Sequence, residues 1–114
     1  MYNIPVKRGE NLKTLDNIEA IQSLMNEELS MIIAKSHHCS TCKMINAHLE
    51  NTIKDFDQLN VAQVFVDDVE AFRGEYVVFS VPTVLIYSQG KELLRESRFI
   101  DITKINRLLA MAKQ

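Results

Sequence analysis

The sequence predicts an α/β protein, a three-layer α/β/α sandwich in which helices cover both faces of a central mixed sheet. Met31-Ile32-Ile33-Ala34 is an uninterrupted apolar run, and residues 61–67 are rich in β-branched side chains. Both read as strands buried on two faces, as the inner strands of a parallel sheet are. Segments with apolar residues at helical spacing flank these strands. Further along, two strands enclose Ser88-Gln89-Gly90-Lys91, a turn with glycine where a positive φ is needed. A β-α-β-α-β-α order that closes with a hairpin and a last helix gives a mixed sheet covered on both sides.

Taken in order, residues 11–15 make a short first strand. Asp16 is the expected helix N-cap, with Glu19 three residues on completing a capping-box pattern. The helix that follows carries Ile18, Ile21, Leu24 and Met25 on one face and Glu19, Gln22 and Asn26 on the other. The run from Leu29 to Lys35 is the central strand. A second helix is expected from Cys39 or Ser40 to Asn51, with Met44, Ile45, Ala47 and Leu49 as packing residues. Residues 61–67 form the next strand and residues 68–73 a short helix. After Pro82, Thr83–Ser88 and residues 92–97 make the hairpin, and Asp101 or Thr103 caps a final helix carrying Ile105, Leu108, Leu109 and Ala112.

The 114 residues have room for one domain, residues 1–114, and enough length to fold by burial alone. Thirteen basic against 15 acidic side chains give a net charge of −2, so no global attraction draws the chain to nucleic acid or an anionic membrane. The apolar runs are a few residues long, against about 20 for a membrane span. Residues 1–10 carry Lys7 and Arg8 without an apolar stretch after them, and no secretory signal is read there. The expected location is cytoplasmic.

The two cysteines, Cys39 and Cys42, stand at the strand-to-helix junction. So short a loop gains little as a staple, because closing it removes little entropy from the unfolded chain. The spacing points instead to redox chemistry or metal binding. At a helix N-terminus the unpartnered N–H groups and the aligned peptide dipoles favour a thiolate. The Cys39 pKa is therefore expected to fall from about 8.5 into the range of roughly 3.5 to 7.5. Cys39 would attack a substrate disulfide, and Cys42, one turn further in, would resolve the mixed disulfide and release reduced substrate.

Cys39-Ser40-Thr41-Cys42-Lys43-Met44-Ile45, the buried strand before it, the strand at 61–67, and Val81-Pro82-Thr83 ahead of a strand-turn-strand resemble the thioredoxin family over nearly the full length. The resemblance implies a thioredoxin fold and thiol–disulfide exchange. It also implies a cis Val81–Pro82 bond facing the dithiol, with Val81 offering backbone groups to an extended substrate. Its implied partners are disulfide-containing proteins and an unidentified thiol or flavoprotein reductant. No organic cofactor is expected, since the electrons reside in the dithiol. His38, Ser40 and Thr41, together with Val81 and Pro82, are the expected substrate-contacting residues.

This sequence departs from the family pattern at several positions. His38 stands where tryptophan usually precedes the first cysteine, and Ser40-Thr41 replaces Gly-Pro. Hydroxyls and an imidazole beside Cys39 favour its thiolate and are expected to raise the potential above the roughly −270 mV of thioredoxin. Ile33 takes the place of a buried aspartate, Gln63 of its companion lysine, Ala47 of a helix-kinking proline, and Arg98 of a glycine lining the partner groove. Two other readings stay open: a binding or redox-sensing domain with little turnover, and a zinc site built from His37, His38, Cys39 and Cys42. His37 reads as a solvated loop imidazole and His48 as a surface helix residue.

Overall fold

The computed structural model describes residues 12–112. Residues 1–11, which include the expected start of the first strand at Asn11, lie outside the described residues. The elements follow the expected order: β1 (Lys13–Thr14), α1 (Ile18–Met25), β2 (Ser30–Lys35), α2 (Cys42–Asp55), β3 (Asn60–Phe65), α3 (Glu70–Tyr76), β4 (Thr83–Ser88), β5 (Lys91–Ser97) and α4 (Ile102–Ala112). They form one five-stranded sheet in the order β1-β3-β2-β4-β5. β1, β3 and β2 run parallel, while β4 and β5 are antiparallel to their neighbours.

Strand alternation divides the interior into two layers. Ile32, Ala34, Ala62, Val64 and Leu85 point to one face, where Ile21 and Leu24 of α1 and Phe72 of α3 cover them. Met31, Ile33, Val61, Val84 and Ile86 point to the other, under Ile45, Leu49 and Ile53 of α2 and Ile105 and Leu109 of α4. Every residue of β2 is buried, as its apolar run requires. Among the described residues no helix is long and apolar enough to cross a membrane.

Local differences from the expected elements have clear causes. The α1 cap is Asn17, whose side-chain oxygen accepts from Ala20 N–H at 2.8 Å; Asp16 accepts from the Asn17 amide instead. α2 starts at Cys42 and continues one turn past Asn51, because Thr52 and Ile53 are buried on the sheet and extend its apolar stripe. Met44, expected to pack, is 60% exposed, and Ala47 is exposed as well; Cys42, Ile45, Leu49, Thr52 and Ile53 define the buried face. Asp101 rather than Thr103 caps α4, accepting from Lys104 N–H at 3.1 Å. In the hairpin, Gln89 and Gly90 both have positive φ, and their N–H groups bond Glu27 O and Met25 O at the end of α1. A Cβ on Gly90 would meet the Asn26 side chain at 2.9 Å.

Candidate active site

β2, the central strand, delivers the chain to the C-terminal end of the parallel strands, where the loop of residues 36–41 turns into α2. Asp67, just after β3, holds the start of this loop: its Oδ2 accepts from Ser36 Oγ at 3.0 Å and from His37 N–H at 2.9 Å. The His37 ring stacks on Phe65 at 4.2 Å between centroids and donates through Nε2 to Asp68 at 2.9 Å. His37 is therefore an anchor between loop and sheet rather than the freely solvated imidazole expected, because β3 brings Phe65 and Asp68 under it.

The hydrogen bond from the His37 backbone, with that from Ser36, holds the Asp67 carboxyl below the usual carboxylate range. A depressed folded-state pKa gives stability that is present above the unfolded value and lost as pH falls through the folded one. Asp67→Asn is accordingly expected to flatten part of the loss of thermal stability between about pH 4 and pH 2. Melting temperatures of wild type and variant at pH 6, 4 and 2 check this. Equal acid-side losses in both proteins would remove Asp67 as a source.

At the turn itself, Cys39 and Cys42 are joined as a disulfide with their Cα atoms 5.3 Å apart. Cys39 is partly exposed, whereas Cys42 is only 3% exposed. Thr41, at the N-cap position of α2, makes no side-chain capping bond. Its hydroxyl instead lies 3.3 Å from Cys39 Sγ, and the Cys42 N–H points at the same sulfur at 3.2 Å. Cys39 Sγ thus occupies the acceptor position that a capping oxygen fills at other helices. Two donors and the positive end of the α2 dipole converge on it, an arrangement that stabilises a thiolate there.

On one side of the sulfurs, Val81–Pro82 is a cis peptide bond, with Pro82 buried and Val81 half-buried. Arg98 N–H bonds Pro82 O at 2.8 Å, placing Arg98 beside it with φ at 66°. That left-handed conformation is one glycine adopts freely and other residues adopt at a cost. Thr41, Met44, His48, Pro82, Arg98 and Phe99 are among the residues lining a cavity of about 340 Å³. His38 and Ser40 are exposed in the loop, and Phe99 is 90% exposed at the cavity's rim.

On the other side, Lys35, His37, Cys39, Cys42, Lys43 and Phe65 are among those lining a second cavity of about 230 Å³. Lys35 is the residue here that sequence reasoning misses. Its signal was a lysine closing an apolar run, at the same strand parity as Ile33. Among the described residues no three His, Cys, Asp or Glu side chains converge to hold a metal ion.

The family model for thioredoxin matches residues 12–113. The chain belongs to the thioredoxin family. Among curated relatives, a thioredoxin-like protein YdfQ of Bacillus subtilis is 26% identical over 102 residues, covering 86% of this chain and 91% of that one. A thioredoxin of Chlamydia caviae is 29% identical over 91 residues, covering 80% and 89%. Among solved structures, a mutant thioredoxin from Halobacterium salinarum superposes with a TM-score of 0.80 at 16% identity, covering 94% of this chain and 95% of that one. Oxidized mitochondrial thioredoxin 3 from Saccharomyces cerevisiae gives 0.78 at 19%, covering 90% and 97%. These last likenesses establish the thioredoxin fold. Family membership and the Cys39–Cys42 pair together support thiol–disulfide oxidoreductase chemistry at the general level.

Proposed function

We propose that this thioredoxin-family protein reduces protein disulfides in a reducing, cytoplasmic setting. The observation that carries the reading is the convergence of the Cys42 N–H and the Thr41 hydroxyl on the accessible sulfur of Cys39 at the α2 N-terminus. In the reduced protein the Cys39 thiolate attacks one sulfur of a substrate disulfide. A Cys39–substrate bond forms, and the other substrate sulfur leaves with the electron pair. Cys42 then attacks Cys39 Sγ, the Cys39–Cys42 bond forms, and the second substrate sulfur leaves. The substrate has gained two electrons and the dithiol has lost them. An external thiol or flavoprotein reductant restores the dithiol.

In this reading the substrate segment lies extended across Val81–Pro82, flanked by His38, Ser40 and Thr41. Dithiothreitol-driven reduction of insulin disulfides tests it, together with the potential of the pair in glutathione buffers. Turnover above background and a potential nearer −270 than −120 mV are expected. A folded protein with no rate above background would leave a binding or sensing domain.

Arg98 makes no ion pair among the described residues and overhangs the Pro82 cavity, so disulfides flanked by acidic residues should dock best. Arg98→Glu is expected to raise KM for such peptides roughly 2- to 5-fold, the worth of one exposed pair, with kcat unchanged. Steady-state kinetics with acid-flanked and lysine-flanked peptides read this directly. An equal change for both would discard it.

A further inference from the structure

We propose that Lys35 holds and returns the proton of the resolving thiol, its side-chain amine exchanging the Cys42 Sγ proton through the cavity that both residues line. This inference rests on the reading of the pair as a disulfide reductase and supplies that reaction with its acid–base group.

The placement follows from strand alternation. Lys35 ends β2 on the face that carries Met31 and Ile33, which is the face α2 covers. It is 7% exposed. Its ammonium reaches the Gln63 Oε1 atom at 2.6 Å, and the Gln63 amide nitrogen donates to Thr14 Oγ1 at 2.7 Å. That second bond orients the amide so that its oxygen faces the lysine. Among the described residues Lys35 has no carboxylate partner. A buried cation satisfied only by a neutral oxygen is poorly compensated, and burial lowers the Lys35 pKa from its usual range.

Cys42 needs such a group. At 3% exposure its thiol is nearly closed to bulk water, yet it must lose a proton before it attacks. The shared cavity, about 230 Å³, is well above the roughly 10–15 Å³ needed to hold one water, so it has room for water that can carry a proton. The other titratable groups nearby are engaged or face out. His37 is held by Asp68 and stacked on Phe65, Asp67 accepts from Ser36 and His37 through Oδ2 and is exposed, and Lys43 of α2 is exposed. β3 contributes Gln63 and Phe65, and β4 pairs with β2 through Thr83 and Val84, none of which carries a charge.

In the mixed disulfide the neutral amine of Lys35 takes the Cys42 proton. The Cys42 thiolate attacks Cys39 Sγ, the Cys39–substrate bond breaks, and its electron pair leaves on the substrate sulfur. That sulfur takes up a proton, and Lys35 gives one back to solvent.

The test reads Cys42 directly, independently of turnover. In a Cys39→Ser protein, adding Lys35→Met should raise the pH midpoint of Cys42 alkylation by about one unit, the effect of losing a nearby cation. In the protein with both cysteines, Lys35→Met should slow release of a model peptide from Cys39 by about 10-fold at pH 7. Alkylation of Cys39 should change less than 2-fold. Circular dichroism checks folding, and methionine, of similar length and uncharged, suits the buried site.

As a reciprocal measurement that leaves Lys35 in place, nitrogen NMR of its amine in Cys39→Ser protein should titrate at lower pH once Cys42 is also replaced by serine. An unmoved Cys42 midpoint, or a Lys35 titration indifferent to Cys42, overturns the proposal. Insulin reduction by the wild-type protein distinguishes failure of the parent reading, since both titrations are measured whether or not the protein turns over.

Discussion

Cys42→Ser is expected to abolish multiple turnover and leave a substrate covalently attached to Cys39. The partly exposed Cys39 sulfur keeps the Thr41 hydroxyl contact at 3.3 Å and the backbone N–H of residue 42 at 3.2 Å, both independent of the Cys42 side chain. Its attack on a substrate disulfide should therefore proceed normally. A serine hydroxyl has far too high a pKa to act as the second nucleophile from a buried position, so the mixed disulfide persists. Incubation with an oxidised peptide, quenching by alkylation and intact mass measurement should show one peptide per chain. The rate of insulin reduction should fall to the uncatalysed background. Cys39→Ser should show no adduct. A folded Cys42→Ser protein that forms none, or a Cys39→Ser protein that forms as much, would falsify the assignment of the two sulfurs.

The largest stability effect is expected at Phe72→Ala. Phe72 is fully buried and is the one buried residue of α3, set among Ile32, Val64, Leu85 and their neighbours and in ring contact with Tyr76 at 5.7 Å between centroids. Removing its ring leaves a cavity that rigid strands on one side cannot fill, and such truncations cost about 3–5 kcal/mol. Against a total of about 5–15 kcal/mol for an ordinary domain, that is a large share. Urea unfolding should show a lower midpoint with a nearly unchanged slope. Met44→Ala serves as the contrast, since a side chain that is 60% exposed should shift stability by no more than about 0.5 kcal/mol. A Phe72→Ala loss below about 1 kcal/mol would mean that α3 is held mainly by something other than this ring.

The contrast between these two residues shows how far the sequence could be read. Met44 and Phe72 are both large and apolar in helical stretches. The expected α2 face included Met44 because apolar residues at 44, 45, 47 and 49 do not by themselves say which of them meets the sheet. The buried stripe runs through Cys42, Ile45, Leu49 and Ile53, and Met44, about 100° round the helix from Ile45 and away from Leu49, falls outside it. Helix and strand existence was legible because burial on one or two faces leaves a period in the chain. Helix ends were less so, since Asp16 and Asn17 are both good caps and only the backbone decides which side chain meets the free N–H of Ala20.

For the candidate site, the local part was legible and the distant part was not. The Cys39–Cys42 spacing and its place between a buried strand and a helix are contiguous patterns whose chemistry follows from residue type and a helix end, whereas the part played by Val81-Pro82-Thr83 was implied by the resemblance to the thioredoxin family. The sequence by itself thus determined the fold class and the dithiol, and its family resemblance pointed to the cis proline of Val81–Pro82. Tertiary structure alone decided the surroundings. Parallel pairing of β2 with β3 sets Lys35 against Gln63, puts His37 on Phe65 and ties Asp67 to the loop before the cysteines. The bond from Arg98 N–H to Pro82 O holds a cation, in a backbone conformation suited to glycine, at the rim of the same site. The physical reason is that a charged or aromatic side chain has no fixed role in a sequence: burial, partner and sheet face give it one, and those come from segments well removed along the chain.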